Sequence, residues 1–318
     1  DYIDPHYAKD SYYKQSGGKE NCFFSIIHGK IHRNKELLSD ENSIAKGMKK
    51  MKKYLKTPRV LRRATLLAML PVFFLAGCGQ KTECEKSIDT AMGTVISQTV
   101  YVTGNSATTT NSEINEKITD FLLQKLNDLE QKELSWRLES AEVARINAAA
   151  GEGQTSVSPA MAEWLGRCRQ ISEESAGAFD VSIGRLSRLW DIDTWAAAGD
   201  SGDYELPRQE EIAEALATTG WQKIQLEQQA DGDSVSIPAE MQLDLGAVGK
   251  GVALDEILKI LEAHPEVSGA VISVGGSILT YGSKPEGGAW QIAVTDPLDP
   301  SESVGVLTLD GGHCVSTS

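Results

Sequence analysis

Apolar and polar positions change period several times along this chain, and each change predicts an element. Val95, Ser97, Thr99 and Tyr101 alternate with Ile96, Gln98, Val100 and Val102, a β-branched period of two that predicts a strand. The polar run NSATTTNS predicts a loop. Ile114, Ile118, Phe121, Leu122, Leu126 and Leu129 then recur at helical spacing up to about Leu134. The best-marked helix follows: Ser158 can cap it, Pro159 suits its first turn and Gly177 can end it. Pro207 and Gly220 bracket a second helix of the same grammar. WQKIQLEQQADGDSVSIPAEMQLDL predicts a hairpin around Asp231-Gly232. GVALDEILKILEAHP predicts an amphipathic helix, and GAVISVGGSILTYG, AWQIAVTD and SVGVLTLDG supply three more strands. Helices, strands and hairpins in mixed order predict an α+β fold and argue against a regular βαβ array. No repeat of 20–50 residues interrupts this pattern.

Charge divides the chain in two. Residues 1–77 hold 15 Lys/Arg against 7 Asp/Glu, and the remainder holds 16 against 38, so a basic leader precedes an acidic body. Phosphate backbones would be repelled by such a body, which excludes non-specific nucleic-acid binding. An anionic ligand would need local help, from a helix N-terminus or a metal ion. The basic leader is accounted for by residues 48–77: Met48 or Met51 opens a Lys/Arg-rich region, and ATLLAMLPVFFLAG follows. This is the order of a secretory signal peptide, with an apolar run short for a membrane span. LAGC resembles a bacterial lipobox, which makes Cys78 the expected lipidated residue and places the body in the cell envelope, most readily at the periplasmic face of the inner membrane. Gly79 gives no acidic retention signal. Residues 1–47 contain no Met and are expected to be a disordered, non-native upstream extension, and 78–88 a polar linker.

Candidate chemistry is concentrated at a few places. LDLGAVGKG, residues 243–251, is expected to end a strand and open a helix, where glycines admit a close ligand and free N–H groups attract anions. It matches neither GxxxxGK[ST] nor GxGxxG, so a structural turn and a ligand loop both remain open. GAFDVSIGRLSRLW, residues 177–190, offers Phe179 and Asp180, or a helix stop followed by a core Phe. Trp136 on its own reads as core more readily than as a cofactor contact, and VGGSI, 274–278, as a tight structural turn between strands. The five cysteines show no CxxC or zinc spacing, and Cys168 reads as a buried small residue on a helix. His264 and His313, the histidines of the body, have no nucleophile beside them, so a hydrolase triad has no support.

The order of the pieces is more specific than any one of them. TAMGT, S-W-R…AEVARIN, GAFDVSIGRLSRLW, LDLGAVGKGVALD, SVGGSI, W-Q-I-A-V-TDP and STS together resemble the ApbE family of FAD:protein FMN transferases, from about Asp89 to the last residue. The resemblance implies a T-fold-like α+β domain over 89–318. It implies Mg²⁺-dependent transfer of FMN from FAD to a threonine of a partner protein, such as a subunit of a sodium-pumping NADH:quinone oxidoreductase or a related complex. By the same resemblance Met92, Trp136, Ala178, Phe179, Asp180, Asp244 and Lys250 would contact FAD, and Ala247 would give its carbonyl to Mg²⁺. The family continues past STSG into an HxxDP segment and a later Asp…Thr pair. The chain ends at Ser318, so the domain is expected to be C-terminally incomplete, with its catalytic residues beyond Ser318 and the polypeptide inactive alone. The alternatives are an FAD pyrophosphatase giving FMN and AMP, and a non-catalytic flavin- or solute-binding lipoprotein.

Overall fold

A computed structural model describes residues 82–104, 109–198, 204–229, 232–299 and 301–316. The leader, Cys78 and the tip residue Asp231 lie outside the described residues. The first strand, β1 (Thr82–Ala91), pairs antiparallel with β2 (Thr94–Thr103) along its whole length. Residues 82–88, expected as linker, are therefore strand. Their sequence hides it because the alternating side chains of β1 are polar and half-buried or exposed. The predicted helix begins at α1 (Asn111–Asp128), capped by Thr110 and Glu113 in a reciprocal box. It does not run on as α-helix to Leu134. Residues Leu129–Leu134 widen into a π-helical turn, which keeps Leu129 and Leu134 buried.

The next segment holds α2 (Glu142–Ala148), β3 (Thr155–Val157) and α3 (Pro159–Glu174). Ser158 Oγ accepts the Met161 N–H, as the sequence predicts, and a cap of this kind contributes about 1 kcal/mol. After α3 come α4 (Gly184–Trp190), α5 (Ile192–Ala198) and α6 (Gln209–Ala217). The predicted hairpin is β4 (Gln225–Gln229) with β5 (Gly232–Ser236), and β3 joins its other side in a three-stranded sheet.

The helix predicted at 251–265 begins five residues earlier, as α7 (Gly246–Ala263). Tertiary packing overrides the low helix propensity of Gly246, Gly249 and Gly251: Val248 and Gly249 are already buried. LDL forms no strand. Gln242 makes a single parallel bridge to Ile183 instead.

Then follow β6 (Val267–Val274), β7 (Ser277–Gly282), β8 (Trp290–Thr295), β9 (Ser303–Leu309) and β10 (His313–Val315). β1, β2, β6, β7 and β10 form one antiparallel sheet in the order β1-β2-β6-β7-β10, while β8 and β9 pair separately. Ile96, Val100 and Val102 of β2 share a buried face with Ala270, Ile272 and Val274 of β6 and Leu279 of β7. Helix α1 packs on β1 and β2, α7 packs on β6 and β7, and the two helices touch. Leu122, Leu126, Leu254, Ile257 and Leu261 fill the layer between. Mixed helices and antiparallel sheets confirm the α+β expectation.

Candidate functional site

At one end of the large sheet, two turns meet the start of α7. The β1–β2 turn is Met92-Gly93, with φ of 54° and 66°, and Ala91 pairs directly with Thr94. Positive φ at both central residues makes this a type I′ hairpin turn, which favours Asn-Gly or Gly-Gly. A left-handed Met costs about 1–2 kcal/mol. The turn is held from outside: the Met92 N–H donates to Glu130 Oε2 at 2.8 Å. The β6–β7 turn, Gly275-Gly276, presses against the first. Its Gly275 N–H donates to the Val95 carbonyl at 3.0 Å. A Cβ on Gly275 would lie 2.4 Å from Thr94 Oγ1, so only glycine allows the approach.

Helix α7 brings its first turns to this corner. The Met92 Cε lies 3.8 Å from where a Gly249 Cβ would stand, and Leu134 of the π-helical turn lies 3.9 Å from it. Lys250 Nζ donates to the Gly275 carbonyl at 3.4 Å. Asp244 Oδ1 accepts the Gly246 N–H at 2.7 Å, while Gly246 and Ala247 are exposed. The positive end of an 18-residue helix thus opens to solvent beside Lys250, which is the local help an anion needs in an acidic body.

The GAFD loop reaches the same place from α3. Asp244 N–H donates to the Val181 carbonyl at 2.8 Å, and Gly184 N–H to the Gln242 carbonyl at 2.8 Å. Gly184 fits because a Cβ there would stand 2.7 Å from that carbonyl oxygen. Asp180 is occupied within the protein: Oδ1 accepts from Ser182 N–H (2.8 Å) and Ser182 Oγ–H (2.6 Å), and Oδ2 from Trp221 N–H (3.1 Å). Ser182 Oγ in turn accepts the Gly220 N–H. Ala178 is exposed and Phe179 half-buried against the core.

Trp136 follows the π-helical turn and is partly buried on the core. The Arg137 guanidinium lies 4.3 Å and the Arg188 guanidinium 5.0 Å from its ring centroid, within cation–π range. Arg188 also donates to the Trp136 carbonyl, linking α4 to this segment. Backbone and side-chain contacts thus join the Met92 turn, the Trp136 segment, the GAFD loop and the start of α7. Ser182 and Arg188, inside the GAFDVSIGRLSRLW motif but not singled out in it, belong to the same set, as do Glu130 and Trp221, which no sequence motif marked. Gly275 was visible only as a tight turn.

One expectation turns out otherwise. LDLGAVGKG is not a loop: Gly246–Gly251 are helical, so Ala247 offers its carbonyl from inside a helix. Among the described residues, no group of three or more His, Cys, Asp or Glu side chains could hold a metal ion. Mg²⁺ takes six oxygens in near-octahedral geometry. One backbone carbonyl does not by itself meet that requirement. Cys168 is fully buried, and burial pushes its thiol up to about 12, which makes it an inert packing residue as its helix position suggested.

With this geometry in place, comparison with known proteins is direct. Residues 92–318 match the sequence model of the ApbE family. The FAD:protein FMN transferase of Escherichia coli (strain K12) is 28% identical over 264 residues, covering 80% of this chain and 71% of the relative. That of Klebsiella pneumoniae (strain 342) is 31% identical over 186 residues, covering 58% of this chain and 51% of the relative. The chain therefore matches about half the length of the Klebsiella protein. The crystal structure of Pseudomonas stutzeri flavinyl transferase ApbE, apo form, superposes with a TM-score of 0.60 at 25% identity, over 73% of this chain and 67% of that one. The ApbE protein of Thermotoga maritima superposes with a TM-score of 0.59 at 25% identity, over 72% and 68%. The extent of the family match and the shared fold lead to one conclusion: the chain belongs to the ApbE family.

Proposed function

We propose that the protein transfers FMN from FAD to a threonine hydroxyl of an acceptor protein. The observation that carries this reading is the meeting of the Met92 turn, the exposed N-terminus of α7 with Lys250, and the GAFD loop at one corner of the fold. In this reading the helix N-terminus and Lys250 hold the diphosphate, with Asp244 beside them on the nucleotide. Met92, Trp136, Ala178, Phe179 and Asp180 border the flavin and its ribityl chain, the aromatic rings giving flat apolar contact. The threonine oxygen attacks the phosphorus of the FMN half. The P–O bond to the AMP phosphate breaks, AMP leaves, and the hydroxyl proton passes to solvent. Mg²⁺ dependence enters from the family resemblance alone.

The acceptor proposed is a subunit of a sodium-pumping NADH:quinone oxidoreductase or a related complex. Lipid on Cys78 would tether the domain to the periplasmic face of the inner membrane; replacing Cys78 by Ser should move the protein from the membrane to the soluble fraction, and an unchanged partition rules the anchor out. The activity is tested by incubating the protein with FAD, Mg²⁺ and a threonine-bearing acceptor. Covalent, threonine-dependent flavin fluorescence on the acceptor with release of AMP is the expected outcome. Absence of covalent flavin on the acceptor would contradict the reading. FMN and AMP released equally without acceptor would replace transfer by hydrolysis.

A further inference from the structure

The proposed function gives Met92 a ligand contact, but nothing in that reading says why a methionine sits in so unfavourable a turn. Both central residues of the Met92-Gly93 turn have positive φ, and a long unbranched side chain gains nothing locally from that conformation. The conformation persists only if its surroundings determine it. The part of the surroundings that reaches the Met92 backbone with a side chain is Glu130, 38 residues away, whose Oε2 accepts the Met92 N–H at 2.8 Å.

Glu130 is not on a regular α-helix. It is the second residue of the π-helical turn Leu129–Leu134. A π turn carries an extra residue per hydrogen-bonded ring, which rotates the side chains that follow relative to the helix before them, and such turns recur at functional sites. Here the turn buries Leu129 and Leu134, sends Leu134 to Gly249 of α7, and puts the Glu130 carboxylate on the Met92 turn. The Met92 side chain ends on the same Gly249. Thr90, Ala91, Gly93, Thr94, Asn127 and Glu130 line an open cleft beside the turn, so packing on that side does not fix it.

We infer that Glu130 is a positioning residue for flavin binding: its carboxylate pins the left-handed Met92 backbone and so sets the Met92 side chain against the first turns of α7. The inference rests on the function proposed above. Its requirement is reach and acceptor capacity, not charge. Glutamine keeps both, whereas aspartate keeps the charge but is one methylene short.

The test is FAD affinity, read by flavin fluorescence titration of the whole chain, with circular dichroism confirming that each variant is folded. Glu130→Ala and Glu130→Asp should each weaken FAD binding about fivefold or more, and Glu130→Gln should stay within about twofold of wild type. In a Met92→Gly background, where the side chain is gone and the turn is unstrained, Glu130→Ala should add less than about twofold. Wild-type affinity in Glu130→Ala and Glu130→Asp, or equal losses in both backgrounds, overturns the inference while leaving the proposed function in place. Should the alanine variant fail to fold, the ordering of Asp below Gln decides. A wild-type chain that binds no FAD overturns both.

Discussion

The carboxylate of Asp180 is hydrogen-bonded on both oxygens inside the protein, to Ser182 and to Trp221. It therefore shapes the GAFD loop whatever else it touches. Asp180→Ala leaves the Trp221 and Ser182 N–H groups without this acceptor, and should lower stability by about 1–3 kcal/mol in urea unfolding. An unchanged midpoint would show that water replaces the carboxylate at no loss. The residue itself was legible in the order of motifs. Its partners were not, because Trp221 stands 41 residues further on and meets Asp180 only through tertiary packing. The same limit hid Glu130, which in sequence is one charged residue among many on a helix. The glycines of VGGSI were read rightly as a turn, yet the reason for Gly275 is Thr94 of another strand.

At the scale of elements, the π-helical turn is fixed to α7 through charge. Lys125 lies 3.8 Å from Glu133 and 3.3 Å from Glu256, and Glu256 lies 2.7 Å from Lys259. Burial pushes Glu133 above the usual carboxylate value, and the Lys125 ammonium offsets this only in part. Burial also acts upward on Glu256, but Lys259 and Lys125 together hold it below the usual value. The two carboxylates thus have opposite linkage. Between its unfolded and its raised folded value, Glu133 binds more protons in the native state, so its contribution falls as pH rises. That of Glu256 is present above the unfolded value and is lost as pH falls through the lowered one. Glu133→Gln should therefore be at least as stable as wild type at pH 8, with its advantage shrinking towards pH 4. Melting temperatures at the two values check this, and a variant destabilised more at pH 8 than at pH 4 would contradict it.

Elements were legible where one face is apolar. The cap of α3 at Ser158, the β4–β5 hairpin and strands β6 to β9 follow their patterns. The π-helical turn escaped because one extra residue does not disturb a 3.6-residue period enough to show. β1 escaped because its side chains are mostly polar, and α7 was started late because three glycines lower helix propensity while packing permits it.

For the whole molecule, the sequence order of the motifs carried the family assignment, and the fold brings most of them to one corner. What order along the chain cannot convey is how they interlock: β2 and β6 are neighbours across more than 160 residues, and that pairing sets the Met92 turn beside Gly275. The central claim is that this corner holds FAD. FAD titrated into the chain should bind saturably at one site. Lys250→Ala should weaken it about tenfold or more, whereas Lys117→Ala, on the exposed face of α1, should leave it unchanged. Absence of saturable binding, or full affinity in Lys250→Ala, would contradict the account.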